Sequence, residues 1–80
     1  MSQAKDLVEI FAKSLVEDVS KVNVVEVEGE QTVVIELRVG PQDIGKVIGK
    51  QGRIAKALRT LVSAMGRKSG KKYMLSLIHI

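Results

Sequence analysis

The 80-residue sequence predicts one small α+β domain of two layers, helices over a sheet, on three observations. The first segment repeats apolar residues at helical spacing. The next switches to a period of two and is rich in β-branched residues. Finally, Ile48-Gly49-Lys50-Gln51-Gly52-Arg53, set between two short apolar runs, reads as a helix, a tight turn and a second helix.

From Gln3 to Val19, the residues Leu7, Val8, Phe11, Leu15, Val16 and Val19 form one stripe, and Asp6, Glu9, Lys13 and Glu17 take the other side. This is an amphipathic helix with a single face to bury. The following run alternates Val25 and Val27 with Glu26 and Glu28, which predicts a strand with the valines inward. Glu28-Gly29-Glu30-Gln31 is the turn of a hairpin. Alternation resumes at Thr32, with Val33, Ile35, Leu37 and Val39 on one face and Thr32, Val34, Glu36 and Arg38 on the other.

Gly40-Pro41 stops the second strand, and Pro41 suits the first turn of a helix over residues 41 to 48, where its missing N–H costs nothing. Asp43 in that first turn suits the helix dipole. Gly45 is either tolerated in so short a helix or required because a neighbouring element or a ligand passes close by. After the turn, Ile54, Ala57, Leu58, Leu61, Val62 and Met65 define a longer helix with Gly66 as its stop, and its opposite face offers Arg53, Lys56, Thr60, Ser63 and Arg67. Arg67-Lys68-Ser69-Gly70-Lys71-Lys72 is a basic connector to a last strand, Tyr73 to Ile80.

That last strand alternates poorly: Leu75 and Leu77 lie on one side and Met74, Ile78 and Ile80 on the other. The run Leu75-Ser76-Leu77-Ile78-His79-Ile80 also resembles the translation of a transposon-end adapter used in sequencing libraries. Two readings therefore stay open for residues 75–80, a native edge strand or a foreign tail that replaced it after about Met74. No function is assigned to His79.

One domain and one core are all that this length allows, with no Pro- or Ser-rich divider. The absence of cysteine removes disulfides and thiol chemistry and points to a reducing, cytoplasmic setting. Met1 to Gln3 lead straight into the amphipathic segment, without the basic and apolar regions of a signal peptide, and no apolar run approaches a membrane span. Charge is uneven. Residues 1–40 set Lys5, Lys13, Lys21 and Arg38 against Asp6, Glu9, Glu17, Asp18, Glu26, Glu28, Glu30 and Glu36. Residues 41–80 set Lys46, Lys50, Arg53, Lys56, Arg59, Arg67, Lys68, Lys71 and Lys72 against Asp43 alone. The basic half holds the Gly-x-x-Gly turn, the footprint expected for a polyanion.

The turn itself has phosphate-binding chemistry. Glycines let it close and let a nucleic-acid backbone approach, Lys50 adds a cation, Gln51 a donor, and the unpaired N–H groups of the next helix favour an anion. The plainer reading, glycine as helix punctuation, is weakened by the flanking lysines and apolar runs. Ile48 and Ile54 are core before they are base contacts, and Arg67, Lys68, Lys71 and Lys72 are as compatible with a solvated connector as with a contact surface. A P-loop fails because only three residues separate Gly45 from Gly49 and Gln51 stands where a hydroxyl is needed; a dinucleotide fingerprint fails for want of Gly-x-Gly. No catalytic constellation, cofactor motif or metal-ligand cluster is present, so neither enzyme activity nor a cofactor is expected. With Phe11 and Tyr73 the only aromatic residues, base stacking on a sheet is excluded in practice.

The element order, with Asp43-Ile44-Gly45-Lys46-Val47-Ile48-Gly49-Lys50-Gln51-Gly52-Arg53-Ile54 at its centre, resembles the KH domain in its bacterial, type II arrangement, and most of all the KhpA family of small RNA-binding proteins. The match spans nearly the whole chain. The resemblance implies the order α-β-β-α-α-β, a three-stranded sheet covered on one face by three helices, and a groove for about four nucleotides of single-stranded RNA. It implies that Gly49, Lys50, Gln51 and Gly52 hold phosphates, that Lys46, Arg53 and Lys56 add flanking charge, and that Ile44, Gly45 and Ile48 form the groove floor or the core beneath it. It also implies self-association, a larger KH-containing partner of the KhpB (Jag/EloR) type, and RNA-chaperone activity linked to cell elongation and peptidoglycan homeostasis.

One such groove should bind weakly and lose affinity with salt. Coupling two sites in a dimer would raise avidity. A protein-interaction module is the rival expectation, and single-stranded DNA stays open as a ligand because no 2′-hydroxyl reader is identifiable. Aspartates at Gly49 and Gly52 should repel a phosphate backbone while sparing the fold.

Overall fold

The computed structural model describes residues 3–79; Ile80 and the His79 side chain lie outside that description. Helix α1 spans Gln3–Leu15 and buries Ala4, Val8 and Ala12, with Phe11 and Leu15 packed at the margin of the core. It stops short of the expected Val19, which is 49% exposed. The Val16 N–H makes the last helical bond, to the Ala12 carbonyl, and the next two amides turn to the carboxylate of Asp43 instead. Asp18 then accepts from the Ser20 N–H at 3.2 Å and starts a single 3-10 turn, Val19–Lys21, that feeds the sheet.

The sheet has the order β1-β2-β3, with β1 (Asn23–Glu28) antiparallel and β3 (Lys72–His79) parallel to the central β2 (Thr32–Val39). A parallel pair needs a crossover, and here it is the helical segment between β2 and β3. Strand β2 alternates as expected, burying Val33, Ile35, Leu37 and Val39. Strand β1 has the opposite parity from the expected one. Val24 is buried opposite Leu37, whereas Val27 is 53% exposed opposite Val34. A one-residue change of register exchanges the two faces of a strand. The inward face of β1 meets the core at its start, through Val24 and the preceding Val22, while Glu28 reaches Lys71 at 2.7 Å. On the uncovered face Val27, Val34 and Met74 form one row across all three strands.

Helix α2, Ile44–Ile48, is shorter than expected and begins after Pro41 rather than at it. Residues 40–43 instead form a turn closed by the Asp43 N–H on the Gly40 carbonyl at 2.9 Å. Helix α3, Arg53–Ser69, buries Ala55, Leu58, Val62 and Gly66. Gly66 is not its stop. The helix ends at Gly70, at φ 75°, where the Gly70 and Lys71 N–H groups return to the carbonyls of Arg67 and Gly66. This is the paired bond pattern of a glycine-terminated helix. Gly66 has another reason to be glycine: a Cβ there would lie 2.7 Å from Tyr73 Cδ1 and from the Lys71 carbonyl oxygen.

Strand β3 places Leu75 in the core opposite Ile35 and leaves Met74 48% exposed, a choice of side that its poor alternation had left open. Val8, Val33, Ile35, Leu37, Val39, Val47, Leu58 and Val62 are the largest fully buried side chains among the described residues, so all three helices and the sheet share one core. A Leu58→Ala cavity at its centre would cost about 2–5 kcal/mol.

Candidate functional site

The site begins where α2 ends. The Gly49 N–H closes on the Gly45 carbonyl at 2.9 Å, and the backbone then leaves the helix at φ 79°, ψ 174°. A Cβ at Gly49 would fall 2.5 Å from Ile54 Cγ1. Glycine is therefore demanded here twice, by backbone conformation and by packing. Gln51, at φ 59°, and Gly52, at φ 72°, are both left-handed, and the Gly52 N–H closes the turn on the Gly49 carbonyl at 3.1 Å. Unlike Gly49, Gly52 has nothing within 4 Å of its Cβ position, so the surface beside it is open.

Lys50 and Gln51 stand exposed on this turn, followed by Arg53, whose guanidinium donates to the Gln51 side-chain oxygen at 3.3 Å. No side chain caps the N-terminus of α3. The first amides of a helix have no intrahelical acceptor, so the turn sits at the positive end of a 17-residue dipole. From there Arg53, Lys56, Arg59, Thr60 and Arg67 continue along exposed positions of α3.

The other candidates fall into three groups. Ile44 is half-buried against the core, and Ile48 is 36% exposed beside the turn. Gly45 is exposed, with nothing within 4 Å of its Cβ position. A close neighbouring element is thus ruled out as the reason for glycine there. Lys46 is not an independent flanking cation: its ammonium pairs with Glu17 at 3.1 Å and Asp43 at 3.2 Å. Those two partners, Glu17 first, hold its pKa above the ordinary lysine value.

Asp43 is the residue whose role the sequence concealed. It precedes α2, makes no capping bond to it and is only 3% exposed. Its carboxylate accepts the backbone N–H groups of Glu17 at 3.2 Å and Asp18 at 3.1 Å. Those bonds, the Asp18 one foremost, keep the carboxyl below its usual range, with Lys46 adding to the effect against the opposing cost of burial. Its partners lie more than twenty residues upstream, beyond any local pattern.

A cavity of about 550 Å³ lined by Gln3, Ala4, Met65, Lys68, Ser69 and Tyr73 lies at the opposite end of α3 from the turn. Among the described residues, no group of His, Cys, Asp and Glu could hold a metal ion, and no helix is long and apolar enough to cross a membrane.

A family model described as "KhpA/KhpB, KH domain" matches residues 5–77. The chain belongs to this KH-domain family. It is 62% identical over 78 residues to the RNA-binding protein KhpA of Aquifex aeolicus, covering 98% of this chain and 99% of that protein. With the RNA-binding protein KhpA of Clostridium perfringens it shares 57% identity over 74 residues, 92% of this chain and 99% of the relative. Among solved structures it is similar to Era, crystallised with MgGDPNP and nucleotides 1506–1542 of 16S ribosomal RNA, at a TM-score of 0.50 and 23% identity. That match covers 95% of this chain but 29% of Era, and at this identity the likeness is one of fold. The KH domain here is α+β, with three helices on one face of a three-stranded sheet and the Gly-x-x-Gly turn between its second and third helices.

Proposed function

We propose that this chain is a non-enzymatic, cytoplasmic RNA-binding protein whose Gly49–Gly52 turn clamps the backbone of single-stranded RNA. The observation that carries the reading is the turn itself. Two glycines at positive φ present Lys50 and Gln51 outward at the uncapped start of α3, in a chain 62% identical to a protein named for RNA binding. Backbone amides and Lys50 would hold phosphates, Arg53 and Lys56 would extend the charge along α3, and the open surface at Gly45 and Gly52 would admit the strand. Ile44 and Ile48 would floor the groove, and Lys46 would serve it chiefly by holding α2 in place. A footprint of about four nucleotides gives weak, salt-sensitive binding, which suits a chaperone that holds RNA briefly.

The experiment is fluorescence anisotropy of labelled single-stranded RNA at two salt concentrations, with single-stranded DNA as competitor. Gln51→Asp is the informative variant because its left-handed backbone tolerates aspartate, so the added charge tests the phosphate site without a packing change. Binding is expected to weaken by tenfold or more and, for Lys50→Gln, the salt slope to fall by about one. Unchanged binding in a folded Gln51→Asp protein would sink the clamp.

Self-association, or assembly with a larger KhpB-type partner, has its own supporting observation. Ala57, Leu61 and Ala64 are exposed at helical spacing on α3, with Leu61 47% exposed. Light scattering on the parent and on Leu61→Glu tests it. A parent that stays monomeric across micromolar concentrations removes the homodimer.

A further inference from the structure

We propose that Asp43 is the positioning residue of the phosphate clamp. The inference rests on the RNA-clamp reading and deepens it: Asp43 touches no ligand but sets the direction in which α2 delivers Gly49. With only five residues, α2 is too short to hold its own axis. Val47, its fourth residue, is fully buried in the core, and Ile44, its first, packs half-buried against it. Apolar contacts of this kind hold the helix down but are not directional; a hydrogen-bonded anchor adds the direction they lack. That anchor is Asp43, placed immediately before the helix and bonded to the backbone of Glu17 and Asp18, in the corner between α1 and β1. The Asp43 carbonyl also accepts the Lys46 N–H at 2.9 Å, so the tether passes directly into the first turn of α2. Gly49 is the next residue after that helix. Orientation set at Asp43 is therefore orientation delivered to the turn.

Backbone amides make the tether specific. Two parallel N–H donors match two carboxylate oxygens, Oδ1 to Glu17 and Oδ2 to Asp18. An asparagine offers one oxygen and an NH₂ group, which would face a donor. Asp43→Asn thus loosens the tether with little change in volume.

Charge and positioning predict opposite signs for that variant. Removing a negative charge near a polyanion site should tighten RNA binding if Asp43 acts only through its field. A positioning role predicts weaker binding, by about tenfold, the scale typical of residues that orient a site without touching the ligand. The measurement is RNA anisotropy on Asp43→Asn well below its melting temperature, together with amide exchange at Gly49 and Gly52 in the RNA-free protein. Expected are weaker binding, an unchanged salt slope because the phosphate contacts are the same in number, and faster exchange at both glycines.

Binding equal to or tighter than the parent's, with unchanged exchange, overturns the proposal. If Asp43→Asn does not fold, Asp43→Ser, which keeps one small acceptor, is read by the same two measurements. If neither folds, Asp43 is a determinant of the whole fold and the positioning role is likewise overturned. Should Gln51→Asp leave RNA binding unchanged, the clamp reading falls. Exchange at Gly49 and Gly52 still decides, without RNA, whether Asp43 orders the turn.

Discussion

Gly49 and Ile54 pack so closely across the turn that a methyl group on Gly49 would sit 2.5, 2.8 and 2.9 Å from three carbons of the Ile54 side chain. The contact locks the end of α2 to the start of α3. Gly49→Ala is expected to destabilise the domain by about 2 kcal/mol or more, from the clash and from a backbone conformation that suits only glycine. Urea denaturation measures it. The expectation that aspartate at Gly49 spares the fold is therefore corrected, since loss of RNA binding in such a variant would report damage as well as charge.

Gly45 should behave in the reverse sense. It lies inside a helix with no positive φ and an open surface, so Gly45→Ala should raise stability by about 0.5–1 kcal/mol. If the surface is kept open for an RNA backbone, the same methyl should weaken binding. A variant that melts higher and binds RNA as well as the parent would show that Gly45 serves no ligand.

Gly66→Ala tests the joint between α3 and β3. Its Cβ would meet the Lys71 carbonyl oxygen at 2.7 Å and Tyr73 Cδ1 and Cβ at 2.7 and 2.8 Å, and the carbonyl cannot yield without moving the helix end. The expected cost is about 1–3 kcal/mol, seen as a lower Tm in circular dichroism. RNA affinity of the folded fraction should be unaffected, because the joint is at the far end of α3 from the turn.

Acid should erode the Asp43 tether. Its pKa is lowered in the folded state, so its contribution to stability is complete above the ordinary aspartate value, about 3.9, and is lost as pH falls through the depressed one. Lys46 and Glu17 face the same corner, and Glu28 is also lowered, by Lys71, so the parent alone cannot isolate the effect. The stability difference between the parent and Asp43→Asn can. It should be constant near neutrality and shrink below about pH 4; a difference that grows with acid would contradict the assignment.

Much of the fold was legible because the patterns concerned are local. The stripe Val8, Phe11 and Leu15, the alternation of Val33, Ile35, Leu37 and Val39, and the apolar runs on either side of Gly49 and Gly52 each report one element's own buried face. The errors came at ends and edges. α1 lost its last turn, β1 took the other parity, α2 started late, and Gly66 proved to be a packing glycine rather than a stop. For three of these the deciding partner lay on another element, Asp43 for the amides after α1, Leu37 for Val24 and Tyr73 for Gly66, while α2 started late because residues 40–43 close a turn of their own.

By itself, then, the order of residues determined the α+β class, the succession of elements, the basic second half and a turn shaped for phosphate, since periodicity, glycine and charge act at short range. Only the tertiary structure decided that Lys46 is held in ion pairs, that Gly45 opens to solvent while Gly49 is closed against Ile54, and that a buried Asp43 ties α2 to the end of α1. The physical reason is that a hydrogen bond, an ion pair or a steric contact depends on distance in space, and the chain must fold before those distances exist.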